Sequence, residues 1–162
     1  VIEAKWLFGL EKEKIKVLVH PESIVHSLVE FCDTSVIAQL GLPSMSVPIL
    51  YALSFPNRLS SNFKKLDLTA IKQLNFEDPD LNTFRHLNYA YDAMERGGSL
   101  GCVLNAANEI AVTAFLQDKI DFLNMPDLIS NCMEKITFAK NPSYEDFIDT
   151  DKQTRILAKK LL

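Results

Sequence analysis

Two histidines, His20 and His26, fall in one short stretch, but no HExxH spacing accompanies them, so a zinc site has little support. What an imidazole offers here is hydrogen bonding and proton exchange near neutrality. His26 alternates with Ile24 and Leu28. It reads either as a half-buried ring held by a hydrogen bond or as an imidazole at a sheet edge that donates to an anionic substrate. His86 falls on the outer face of a helical segment and is expected to be solvated. Glu3 and Glu30 are the acids nearest the expected sheet. A carboxylate suits Mg²⁺ or Mn²⁺, which prefer oxygen donors, but Glu3 alone reads equally well as a surface residue. The run Asn105-Ala106-Ala107-Asn108-Glu109 resembles a helix start with Asn105 as its cap. Gly41-Leu42-Pro43-Ser44-Met45 is apolar and restricted, fit either to wall a pocket or to open a helix. Cys32, Cys102 and Cys132 are odd in number and lack CxxC spacing, so buried reduced thiols are expected.

These residues need elements to position them. Val1 to Leu10 predicts a helix that stops at Gly9 and has no N-cap. Ile15, Val17 and Val19 alternate like a half-buried strand, which His20-Pro21 ends. Residues 24–31 and 36–40 predict an antiparallel hairpin around the turn Cys32-Asp33-Thr34-Ser35. Met45 to Leu53 follows as a helix with Pro48 in its first turn. From Phe55 to Asp80, turn residues separate isolated hydrophobes, the texture of a connecting arm. Helices are then expected over 82–96, 102–117, 126–138 and 150–162, forming a small antiparallel bundle with the Ala-rich second one central.

Composition narrows the function classes. Of 162 residues, 48% are hydrophobic and 23% charged, as in an ordinary globular protein. The net charge of −4 offers no cationic surplus for a nucleic-acid backbone. Gly97-Gly98-Ser99-Leu100-Gly101 matches neither the dinucleotide fingerprint nor the P-loop. No apolar run reaches the ~18 residues of a membrane span, and no signal peptide opens the chain, so a cytoplasm-like compartment is expected. An opening at Val1, within an expected helix, reads as a chain cut from something longer.

Val1-Ile2-Glu3-Ala4-x-Trp6-Leu7-Phe8, His20-Pro21-x-Ser23-x-x-His26-Ser27, Ala38-Gln39-Leu40-Gly41, Pro48-Ile49 and Leu104-Asn105-Ala106-Ala107-Asn108-Glu109 occur in this order. The set resembles the C-terminal portion of the 1-deoxy-D-xylulose 5-phosphate reductoisomerase family over essentially the whole chain. The resemblance implies an α+β fold: the remnant of an α/β catalytic domain with a small, mostly antiparallel sheet, an extended arm, and a C-terminal helical bundle. It divides the chain into 1–54 as the end of the catalytic and dimerisation domain, 55–81 as the arm, and 82–162 as the bundle.

The implied activity is rearrangement of 1-deoxy-D-xylulose 5-phosphate and its reduction by NADPH to 2-C-methyl-D-erythritol 4-phosphate, with Mg²⁺ or Mn²⁺ as Lewis acid. The partners implied are a sugar-phosphate substrate and a second copy in a homodimer. The compartment would be bacterial cytoplasm, or plastid for a plant or alga. The family's Asn-Lys-Gly-Leu-Glu stretch, its Asp-x-Glu ligands and its NADPH domain precede the match to Val1. Only supporting roles therefore carry over: His26 near the reacting centre, Pro43 and Met45 along the nicotinamide side of the pocket, and Glu3 in the metal's outer surroundings. At Ser44 and Ser46 the family usually carries aspartate and arginine. Neither cofactor is expected to bind this stretch tightly, and the isolated chain is expected to be inactive. The competing class is a non-catalytic dimerisation or scaffold module that reuses the sheet and bundle.

Overall fold

The computed structural model describes residues 1–162. In chain order the elements are α1 (Ile2–Phe8), β1 (Val25–Glu30), β2 (Val36–Leu40), α2 (Ser46–Ser54), α3 (Leu68–Ile71), α4 (His86–Arg96), α5 (Leu100–Leu116), α6 (Met125–Lys135) and α7 (Tyr144–Leu161), with 3₁₀ turns at Lys12–Lys14 and Phe122–Asn124. Seven helices and one two-stranded antiparallel sheet make the fold α+β. No helix is long and apolar enough to cross a membrane. The chain divides into two compact units, one of Val1–Val17 with Pro79–Leu162 and the other of Leu18–Asp78.

In the helical unit, α5 packs against α4, α6 and α7. Ala106, Ala107 and Ala111 are fully buried on α5, and their small side chains let neighbouring helices approach closely. Leu100, Val103, Ile129, Cys132 and Ala158 complete the centre of the core. α5 is therefore the central helix, as the Ala-rich segment implied. It begins at Leu100, so Asn105 lies inside it and is not its cap. Asn105 instead donates from Nδ2 to Glu109 Oε1 (3.1 Å), and Glu109 Oε2 pairs with Arg155 Nη2 (2.8 Å) on α7. α7 begins at Tyr144, before the expected Thr150. The Ser143 hydroxyl accepts from the Asp146 amide, and the Asp146 carboxylate accepts from the Ser143 amide, so this reciprocal cap starts the helix early. α1 ends at Gly9 in the left-handed region (φ 63°) and packs on α4, where Lys5 Nζ donates to the Met94 carbonyl (2.7 Å).

In the second unit, β1 and β2 form the expected hairpin, and α2 carries Pro48 in its first turn. Residues 15–19 do not form the expected strand. Val19 forms an isolated antiparallel bridge with Glu77 of the arm. Alternating side chains alone do not make a strand where no neighbour continues the ladder. The arm contains α3, capped by Asp67, whose carboxylate accepts from the Thr69 and Ala70 amides. The expectation of three buried thiols holds only for Cys132, since Cys102 is partly covered and Cys32 is exposed in the hairpin turn.

Candidate functional site

The register of the hairpin places His26. Val25 pairs with Leu40 and Ser27 with Gln39, leaving His26 without a partner at a β-bulge. A bulge adds a residue to one strand and re-aims the side chains beside it. His26 therefore does not follow the simple alternation with Ile24 and Leu28: Ile24 is buried, whereas His26 and Leu28 are exposed. Its ring is not half-buried, but it is held. Nε2 lies 3.2 Å from the Ser23 carbonyl. A carbonyl only accepts, so Nε2 carries the proton and Nδ1 of the neutral ring keeps its lone pair. The ring also lies against Gly41, where an added Cβ would sit 3.8 Å from His26 Cε1. Gly41 is fixed by its amide, which donates to the Ile24 carbonyl (2.9 Å).

From Gly41 the chain runs through Pro43, which is exposed, to Met45, the N-cap residue of α2, which is 67% exposed. The Ser44 hydroxyl accepts from the Ser46 amide (3.2 Å) and supports the turn into α2. His26, Gly41, Pro43 and Met45 thus belong to one continuous surface segment, with a proton donor-acceptor at one end and an apolar thioether at the other. Glu3 is exposed in the first turn of α1.

His20, the other histidine of the motif, is engaged differently. Its side chain is 7% exposed and stacks on Phe76 with ring centroids 4.6 Å apart. Nδ1 donates to the Asn75 carbonyl (2.7 Å), and Nε2 is buried without a partner. The Asn75 amide and side-chain amide both donate to the Glu22 carboxylate, which holds that carboxyl below its usual range. Asn75 and Phe76 carried no signal in the sequence, because their importance comes from a contact made across a long loop.

His86 is not freely solvated, contrary to the sequence expectation. It lines a cleft of about 260 Å³ with Ile2, Gly101, Leu104, Asn105 and Asn108. Its Nε2 is buried and unpartnered, and burial followed by the Arg85 charge lowers its pKa. No three His, Cys, Asp or Glu side chains converge anywhere in the chain, so these residues do not by themselves form a metal centre.

Residues 40–157 match the family of the DXP reductoisomerase C-terminal domain. The chain belongs to this family. A 1-deoxy-D-xylulose 5-phosphate reductoisomerase of Phocaeicola vulgatus is 52% identical over 162 residues, which is 100% of this chain and 42% of that protein. The reductoisomerase of Zymomonas mobilis, solved in complex with NADPH, superimposes with a TM-score of 0.91 at 42% identity, covering 98% of this chain and 42% of that one. A DOX-P reductoisomerase solved with NADPH, fosmidomycin and magnesium gives a TM-score of 0.91 at 39% identity, covering 98% of this chain and 41% of its own. This member of the DXP reductoisomerase C-terminal domain family thus spans about two fifths of the length of the relatives it matches. The resemblance read from the histidine and Asn-Ala-Ala-Asn-Glu motifs is borne out at the level of the family.

Proposed function

We propose that this chain serves as the C-terminal part of an NADPH- and divalent-metal-dependent enzyme that rearranges 1-deoxy-D-xylulose 5-phosphate and reduces the product to 2-C-methyl-D-erythritol 4-phosphate. The observation that carries this reading is the match along the whole of this chain, at 52% identity, to 42% of a 1-deoxy-D-xylulose 5-phosphate reductoisomerase. In this reading residues 1–54 complete the catalytic and dimerisation domain, 55–81 form the arm, and 82–162 form the bundle. His26 supplies a hydrogen bond to an oxygen of the sugar phosphate. With Nε2 committed to Ser23, Nδ1 of the ring is the atom left for this, accepting when neutral and donating when protonated. Pro43 and Met45 present apolar surface to the nicotinamide, and Glu3 belongs to the metal's outer surroundings. The chain holds neither the metal's ligands nor a nucleotide fold, so it is inactive alone.

Apolar side chains on the hairpin support a second copy as partner. Val29, Val36 and Ile37 are all more than half exposed, which is costly for an isolated surface. The compartment proposed is the bacterial cytoplasm. The test is NADPH oxidation by the natural protein containing this chain, supplied with 1-deoxy-D-xylulose 5-phosphate and Mn²⁺. Turnover is expected there and not with residues 1–162 alone, and His26→Gln is expected to lower kcat by roughly 100-fold. A natural protein that binds a second copy but never oxidises NADPH would support the scaffold reading instead.

A further inference from the structure

The turn before β1 links the arm to His26 through a single residue. Ser23 closes the turn by donating its amide to the His20 carbonyl (3.0 Å), and its own carbonyl accepts from His26 Nε2. Its φ of 50° lies in the left-handed region, which is unfavourable for a non-glycine residue. Such a conformation persists only where the surroundings determine it. Here they do. Pro21 sets the φ of the turn, and the arm grips both sides of it. His20 donates to the Asn75 carbonyl and stacks on Phe76. Glu22 accepts both amides of Asn75, and Val19 exchanges two backbone bonds with Glu77 (2.9 Å each).

We propose that His20 is a positioning residue for His26: arm residues Asn75 and Phe76 hold His20, His20 holds the turn, and the Ser23 carbonyl then sets the His26 ring against Gly41. The inference rests on the supporting role given to His26 above. Loss of the His20 donor frees the turn to relax from its left-handed conformation. The Ser23 carbonyl then rotates away, and the His26 ring loses both its proton anchor and its place beside Gly41. The hairpin ladder itself does not depend on these contacts, so the effect is confined to the ring.

Two substitutions separate the donor from the stack. His20→Phe keeps the ring on Phe76 and removes Nδ1, whereas His20→Asn places an amide nitrogen near the position of Nδ1 and removes the stack. In the natural protein, His20→Phe is expected to lower kcat roughly tenfold to a hundredfold with little change in KM, and His20→Asn to restore most of it. In a His26→Gln background, His20→Phe is expected to have no further effect, because the two residues act as one unit. Equal losses in both backgrounds, or full activity of His20→Phe, would overturn the proposal. Should His20→Phe not fold, Glu22→Ala, which removes the carboxylate that accepts from Asn75 and lies 3.1 Å from His20 Nδ1, takes its place in the same cycle. Should His26→Gln leave kcat unchanged, the catalytic reading of His26 fails separately. The relay is then decided in histidine-labelled protein by the nuclear Overhauser contact between His26 Hε1 and Gly41 Hα. Its loss in His20→Phe supports the relay, and its persistence refutes it.

Discussion

Ser99 and Ala139 are bonded to each other twice. The Ser99 amide donates to the Ala139 carbonyl (2.9 Å), and the Ser99 hydroxyl accepts from the Ala139 amide (2.9 Å). This fully buried serine ties the start of α5 to the segment after α6, within the glycine-rich run Gly97–Gly101. Ser99→Ala leaves the Ala139 amide without its acceptor and is expected to destabilise by about 1–3 kcal/mol. Gly98→Ala should cost more, because φ is +56° and its Cβ would lie 2.2 Å from the Ala139 carbonyl oxygen. Urea unfolding of the two variants checks both the losses and their order.

The alanine face of α5 sets how closely α6 and α7 approach. Ala107 is fully buried, so Ala107→Leu forces extra volume into a filled contact and is expected to cost about 1–3 kcal/mol. Ile129→Val on the facing helix only removes a methylene and should cost about 0.5–1.5 kcal/mol. Comparing the two midpoints distinguishes a packed core from one that can absorb volume.

His86 is expected to make the helical unit sensitive to acid. Burial disfavours its charged form, so its folded pKa lies below the ordinary 6.5. A group depressed in this way contributes stability above the unfolded value and loses it as pH falls through the folded one. Melting temperature should therefore drop between about pH 7.5 and 5.5 by more in the native sequence than in His86→Phe. Equal slopes would show that His86 does not carry the dependence.

The thiols are expected to react in the order of their exposure. Cys32 should be alkylated promptly, Cys102 more slowly, and Cys132 only on unfolding. Burial raises the pKa of both Cys102 and Cys132, which reduces the thiolate available for attack. Mass spectrometry of peptides from timed iodoacetamide reactions reads the order directly.

Much of this architecture was legible from local signals. Gly9 stops α1, the Cys32–Ser35 turn joins two alternating segments, Pro48 sits in the first turn of α2, and the alanines mark the central helix. Each signal acts within a few residues, through backbone freedom or periodic burial. Where the reading failed, a contact from far along the chain decided the outcome. Ile15–Val19 has strand texture, yet its strand-type pairing is the isolated bridge of Val19 with Glu77. Asn105 has cap chemistry, yet α5 starts earlier, where Ser99 meets Ala139, and the asparagine is turned toward Glu109.

The histidine motif shows the same division. The sequence by itself determined the residue types: an imidazole at 26, a proline able to turn the chain at 21, and an apolar loop running to Met45. It also determined the family, because ordered motifs over the whole length are specific. Only the tertiary structure decided that His26 falls on a bulge, that Ser23 is held left-handed, and that His20 faces Asn75 and Phe76. The reason is physical. Strand parity and turn conformation are set by pairing across the sheet and by a loop that returns from the arm, and neither leaves a periodic trace in the residues it joins.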